Sequence, residues 1–179
     1  MDFKDSQTYK NLHAALNREL ASSAKYRIYA KKARQDGFWQ IGDLFEETSR
    51  NEQEHGEVLL KLMHGGELLS TANNLRDAIS RENYEWNTMY HQFADVARQE
   101  GYPEIAEKFE GIARIENNHD GRFEALVWNV EANRAFCREN EAVWLCNNCG
   151  NLVWDHCAPD PCPICGCPQG HYQMYCDPF

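Results

Sequence analysis

Two Glu-x-x-His boxes, Glu52–His55 and Glu116–His119, constrain this chain more than any other feature. Each falls on the apolar stripe of a long helical stretch. A carboxylate buried there without a partner is strongly disfavoured. The boxes therefore ask for something cationic among them. Alone they are weak signals, since a chain of this Glu and His content holds roughly 0.7 such boxes by chance. The stripes around them decide the matter.

Four stretches carry apolar residues at alternating spacings of three and four, the pattern of packed antiparallel helices. Helix A is expected over 8–35, stopped by Gly37, with the seam Leu12, Leu16, Glu19, Ser23, Tyr26. Helix B is expected over 38–64, with the seam Ile41, Phe45, Thr48, Glu52, His55, Leu59, Leu62. Helix C follows an N-cap at Asn73 or Asn74 and ends near Gly101. Its seam is Leu75, Ala78, Glu82, Glu85, Met89, Phe93, Val96. Helix D begins at Pro103, a favoured first-turn residue, with the seam Ile105, Phe109, Ile112, Glu116, His119, Phe123, Leu126, Val130. No strand signal is visible before residue 140.

Every seam turns polar near mid-helix and apolar again a turn later. A solvated charged face does not do this. Residues three apart share a helix face, so Glu19, Glu52, His55, Glu82, Glu85, Glu116 and His119 converge on one level of a core. Oxygen-rich sets with a few imidazoles suit iron or manganese. A glutamate from each of two helices and a Glu-x-x-His from each of two others is the ligand pattern of ferritin-like di-metal bundles. Glu85 is one carboxylate more than that pattern needs.

The tail has a different chemistry. All eight cysteines lie from Cys137 onward, and only Pro103 of the six prolines precedes that point. The boundary is expected near 139–143, giving a bundle domain over 1–140 and a small domain over 141–179. Cys146-Asn-Asn-Cys149-Gly150 and Cys162-Pro-Ile-Cys165-Gly166 form two knuckles. Each glycine permits a tight turn that brings backbone N–H groups to the sulfurs. Two knuckles make a four-thiolate site for iron or zinc. So short a module needs its metal to fold. Cys137, Cys157, Cys167 and Cys176 are surplus and are expected to be free thiols. The histidines outside the boxes read as ordinary surface or core residues. Tyr26, on the Glu19 seam, reads either as packing or as a hydroxyl donor to a ligand carboxylate.

A net charge of −10 argues against nucleic acid or an anionic membrane as a partner. Met1–Ser6 holds no apolar run, so a signal peptide is not expected, nor is a membrane span. Clustered cysteines without a secretion signal point to a reducing, cytoplasmic setting and to metal ligation.

Together the two motif sets, in this order over nearly the whole chain, resemble the rubrerythrins. The resemblance implies an all-α four-helix ferritin-like bundle followed by a small metal-stapled rubredoxin-like domain. It implies a di-iron site with Glu52 and Glu116 as bridging carboxylates, Glu19 and Glu82 as terminal ligands, and His119 on the iron beside Glu82. The other iron would move between His55 and Glu85 as its redox state changes, so His55, Glu85 and Tyr26 are the expected catalytic residues. Cys146, Cys149, Cys162 and Cys165 would hold one further iron, with zinc as the alternative occupant. The surplus cysteines of the tail depart from the family pattern.

The implied activity is a peroxidase that reduces hydrogen peroxide to water in oxidative-stress defence. Electrons would arrive through the rubredoxin-like iron from an external donor, a rubredoxin or an NAD(P)H-dependent reductase chain. The alternatives are a ferroxidase or iron-handling protein using oxygen, and a zinc-knuckle interaction module on a structural bundle. A pure storage protein would not need the electron inlet.

Linker length bears on assembly. In ferritin-like topology helices B and C run parallel. Glu52 to His64 and Asn74 to Glu82 span about 18 Å and about 12 Å of helix. Residues 65–73 reach the required 30 Å or so only when fully extended. A plain B–C hairpin relieves this, and so does pairing of the C–D hairpin with the A–B hairpin of a second copy. Some rubrerythrins are swapped in the second way, so a swapped homodimer is expected.

Overall fold

The computed structural model describes residues 2–176, and the chain divides into two compact units at the Leu69–Ser70 boundary. The first is a helical hairpin of α1 (Gln7–Gln35) and α2 (Trp39–Met63), preceded by a short turn at Phe3–Asp5. Ser6 caps α1 by accepting the Tyr9 N–H at 3.1 Å. Gly37, at φ +86°, makes the left-handed step that ends it.

The two helices meet on α1 along the expected seam at Leu16 and Ser23, whereas on α2 the contact is shifted by one position from the expected seam. They meet along smaller residues at a spacing of seven: Leu16, Ser23 and Ala30 on α1, and Gly42, Ser49, Gly56 and Met63 on α2. Small side chains let the backbones approach closely. Ser23 Oγ donates to the Ser49 carbonyl at 2.9 Å, and Ser49 Oγ donates to the Ser23 carbonyl at 2.8 Å. A Cβ at Gly56 would stand 2.7 Å from Leu20 Cδ2. Replacing Gly56 with Leu is expected to force the helices apart and cost about 2 kcal/mol, read as a lower midpoint in chemical denaturation. On α2 the large seam residues sit one position round the helix and stay accessible, with Ile41 at 49% and Leu62 at 51% exposure.

The second unit begins with α3 (Thr71–Tyr84), continues without a break through a π-helical turn (Glu85–Met89) into α4 (Tyr90–Gln99), and returns along α5 (Pro103–Glu131). The N-cap of α3 is Ser70, whose Oγ accepts the Asn73 N–H, rather than Asn73 or Asn74. Its packing repeats the first hairpin's device, with buried Ala106, Ala113 and Asp120 spaced by seven on α5 and buried Ala94 and Ala97 on α4. Phe93, Val96, Ile105 and Leu126 are again about half exposed.

A three-stranded antiparallel sheet of order β2-β1-β3 follows, from β1 (Cys137–Cys146), β2 (Leu152–Cys157) and β3 (Tyr172–Met174). It starts at Cys137, ahead of the expected limit of 140. Its core is slight: Trp144, Cys146, Ala158, Cys162 and Tyr172 are buried, with Phe136, Ala142, Val153 and Cys167 packed against them. Cys137 and Cys157, expected as free thiols, are joined as a disulfide. They are cross-strand partners, and antiparallel pairing brings their Cα atoms to 4.1 Å. The sequence separation hid this register. Cys167 and Cys176 are free, as expected. Among the described residues no helix is long and apolar enough to cross a membrane.

Candidate metal centres

Each helical unit builds one three-ligand cluster from its own residues. On α1 and α2, Glu19, Glu52 and His55 bring ligand atoms within 4.8 Å of one another. His55 Nδ1 lies 3.2 Å from Glu19 Oε2 and 3.3 Å from Glu52 Oε2. On α3 and α5, Glu82, Glu116 and His119 do the same. His119 Nδ1 lies 2.6 Å from Glu116 Oε2 and 3.6 Å from Glu82 Oε2. Both boxes thus aim the same imidazole nitrogen at the same kind of carboxylate pair.

The electrostatics describe sites that want a cation. Glu52 is pushed up, chiefly by sharing a proton with Glu19 and then by burial. Glu19 is held down by Glu52 and by His55. His55 is raised by Glu19 and then by Glu52. In the second cluster burial raises Glu82, and the neighbouring Glu116 raises it further. Protons here do what a metal would do, which is neutralise crowded carboxylates. Contacts of about 3 Å between ligand atoms suit a small divalent ion at about 2.1 Å, where neighbouring octahedral ligands lie about 3 Å apart.

Glu85 is not within the second trio. It opens the π-helical turn one helical step from Glu82, and its charge acts on both Glu82 and Tyr90. Such turns are frequent at functional sites, because the extra residue re-aims a side chain. Tyr26 packs in an aromatic group, its ring 6.0 Å from Phe45 and 6.2 Å from Tyr29.

Two residues absent from the sequence reading join this region. Burial and then the charge of Glu85, Glu116 and Glu82 raise the Tyr90 hydroxyl, so it stays protonated beside them. Asp120, 4% exposed and next to His119, accepts from Trp86 Nε1 at 2.7 Å and from Asn83 Nδ2 at 3.0 Å. It thereby ties α5 to the chain on either side of Glu85. Its position on the alanine heptad of α5 was the available signal; a single acidic residue among exposed ones concealed it.

The four expected cysteines form the third cluster. Cys146 Sγ lies 3.8 Å from Cys165 Sγ, and Cys149 Sγ lies 3.8 Å from Cys162 Sγ. Four thiolates at about 2.3 Å from one ion stand about 3.8 Å apart in a tetrahedron. Gly150 and Gly166, at φ +78° and +71°, make the two turns. Backbone N–H groups of Ile164 and Cys165 reach Cys162, and that of Cys167 reaches Cys165. The Tyr172 hydroxyl is the largest influence on Cys162, which it and the backbone pull down to about 6. Tyr172, buried, is itself pushed up to about 12. Because the metal is held by thiolates, and Cys162 is the one most favoured in that form, the tail should release its metal faster as pH falls. Tyr172→Phe is expected to move that release to higher pH and to lower the reduction potential of a bound iron. Chelator-driven release followed across pH, with redox titration, checks both.

The rubrerythrin family model matches residues 10–127. A rubrerythrin of Porphyromonas gingivalis is 37% identical over 181 residues, covering 95% of this chain and 90% of that protein. One of Nitratidesulfovibrio vulgaris is 37% identical over 182 residues, covering 96% and 95%. A mixed-valence-state structure of nigerythrin, 28% identical, covers 95% of this chain and 87% of its own, with a TM-score of 0.37. The carboxylate–histidine clusters, the four-thiolate tail and likeness over nearly the full length agree: this chain belongs to the rubrerythrin family.

Proposed function

We propose that this rubrerythrin is a peroxidase that reduces hydrogen peroxide to water at a di-iron site, re-reduced through an iron in the four-cysteine tail. The observation that carries the reading is the pairing of two matched Glu–Glu–His clusters with a four-thiolate site in one chain. A protein that only stored or oxidised iron would have no use for the second kind of centre. An oxygen-using ferroxidase is the competing reading, since it would need the same clusters.

Iron, when bound, supplies the electrons and the Lewis acidity for breaking the O–O bond. The chain's own groups do the rest. Glu19, Glu52, Glu82, Glu116 and His119 would hold the ions, and His55 and Glu85 would be alternative donors. Reduction of peroxide to water consumes protons. Tyr90 keeps its O–H beside the carboxylates at neutral pH. Tyr26 is the corresponding hydroxyl of the first hairpin, and both are assigned as donors to the reacting oxygens.

Each hairpin carries half of the ligands beside an exposed apolar seam. The site is completed, in this reading, by the complementary hairpin of a second copy. Chain length supports it. Glu52 to Met63 and Thr71 to Glu82 each rise about 16 Å, so a parallel arrangement within one chain needs about 33 Å. The span from Met63 to Thr71 reaches less than about 29 Å. The external donor is a rubredoxin or an NAD(P)H-dependent reductase chain. Steady-state peroxide consumption with such a donor tests the proposal. Glu116→Ala should lower it at least about a hundredfold, and unchanged turnover would refute the site.

A further inference from the structure

We propose that Cys137 and Cys157 form a second, metal-free peroxide-reducing centre, a dithiol that hydrogen peroxide oxidises to the disulfide and an external dithiol reduces again. The position of the bond points to cycling rather than stapling. Between Cys137↔Cys157 and the next pair, Ala142↔Asp155, the ladder breaks, and β1 spends more residues than β2 covers. The disulfide thus bridges a gap in the ladder, with independent fastenings on both sides. On one side the Ala158 N–H donates to the Phe136 carbonyl at 2.8 Å. On the other, the pairs from Ala142↔Asp155 to Leu145↔Leu152 continue, and Trp144 Nε1 donates to the Asp155 carbonyl at 3.1 Å. Opening the S–S bond removes none of these. The two thiols would stay opposed, ready to close again.

The four metal ligands are elsewhere in the module, so cycling leaves them intact. The two sulfurs also differ in access. Cys157 is exposed, and Cys137 is half-buried, lining a cavity of about 500 Å³ with Val130, Phe136 and Gln169. The accessible thiolate is the one peroxide can reach. Cys157 S⁻ attacks one peroxide oxygen, the O–O bond breaks, and Cys157 becomes a sulfenic acid while hydroxide leaves and is protonated to water. Cys137 then attacks that sulfur, the S–O bond breaks, and a second water leaves. Two thiols and one peroxide give one disulfide and two waters. A small dithiol returns both electrons by exchange through a mixed disulfide.

The test uses the iron-loaded chain reduced with dithiothreitol, then exposed to one equivalent of peroxide, quenched by alkylation and mapped by mass spectrometry. Cys176, exposed and free, is the internal control. The pair should reduce with the tail iron's colour retained and re-form at least about tenfold faster than Cys176 oxidises. The same should hold in Glu116→Ala, which separates this centre from the di-iron reading. In Cys137→Ser, a sulfenic acid should be trapped at Cys157 by dimedone. A disulfide that resists dithiothreitol, or opens only as the tail loses its metal, would make it a staple and overturn the proposal. So would re-formation no faster than Cys176 oxidation, or re-formation lost in Glu116→Ala.

Discussion

Glu52→Ala and Glu116→Ala, each inactive as a pure protein, are expected to regain peroxide turnover when assembled together. Each substitution removes a carboxylate from one hairpin's cluster. In a swapped dimer every site joins the α1–α2 cluster of one copy to the α3–α5 cluster of the other. Pure Glu52→Ala has two damaged sites, and so does pure Glu116→Ala. The mixed dimer concentrates both lesions in one site and leaves the other wholly native. Purified through two different tags, it should show about half of wild-type activity and half of its di-iron content, against losses of at least about a hundredfold in the parents. If all the ligands came from one chain, each chain of the mixed dimer would carry its own lesion. No activity would then return, and the plain hairpin connection between α2 and α3 would be the alternative.

The second large effect is expected from Cys162→Ala. Cys162 is buried in the small core of the tail and is the thiol held down to about 6 by Tyr172. Among the described residues Trp144 and Tyr172 are the only large side chains buried there, too few to hold a module of this size. Metal ligation stands in for core burial, and binding of this kind is worth roughly 10 kcal/mol or more in comparable four-ligand modules. The variant should lose the four-sulfur iron's absorption and expose residues beyond about 140 to protease. The helical units should keep their content by circular dichroism. Donor-driven turnover should fall at least about a hundredfold. A single turnover by protein whose di-iron site was reduced beforehand with dithionite should survive. Loss of both would mean that the tail supports the bundle rather than feeding it electrons.

Reading the chain in one dimension captured which side chains cluster better than it captured the packing. The boxes, the Glu82 position and the cysteine knuckles follow from local spacing, because residues three apart on a helix or across a knuckle must share a direction. All three clusters accordingly assemble from the expected residues. The contact that closes each hairpin was misplaced by one position on α2, α4 and α5, whereas Leu16 and Ser23 on α1 fell on the expected seam. Gly42, Ser49 and Gly56 carry no hydrophobic signal, yet their small size is what lets α1 and α2 meet. The larger seam beside them remains exposed. The π-helical turn at Glu85 coincides with two successive steps of four, Glu85 to Met89 to Phe93, in an otherwise alternating seam. Asp120 and Tyr172 act through partners far away in sequence, Trp86 and Cys162, as does the Cys137–Cys157 bond. Long-range pairing of single residues has no local pattern to betray it.

The most direct test of the central claim follows the tail iron's absorption after anaerobic reduction of the whole protein, with peroxide and oxygen added in parallel in a stopped-flow cell. The account predicts that peroxide restores the oxidised four-sulfur chromophore at least about tenfold faster than oxygen does. The faster phase should vanish in Glu116→Ala. Faster reoxidation by oxygen would contradict the peroxidase reading and favour the ferroxidase, and absence of an iron chromophore would contradict the electron route altogether.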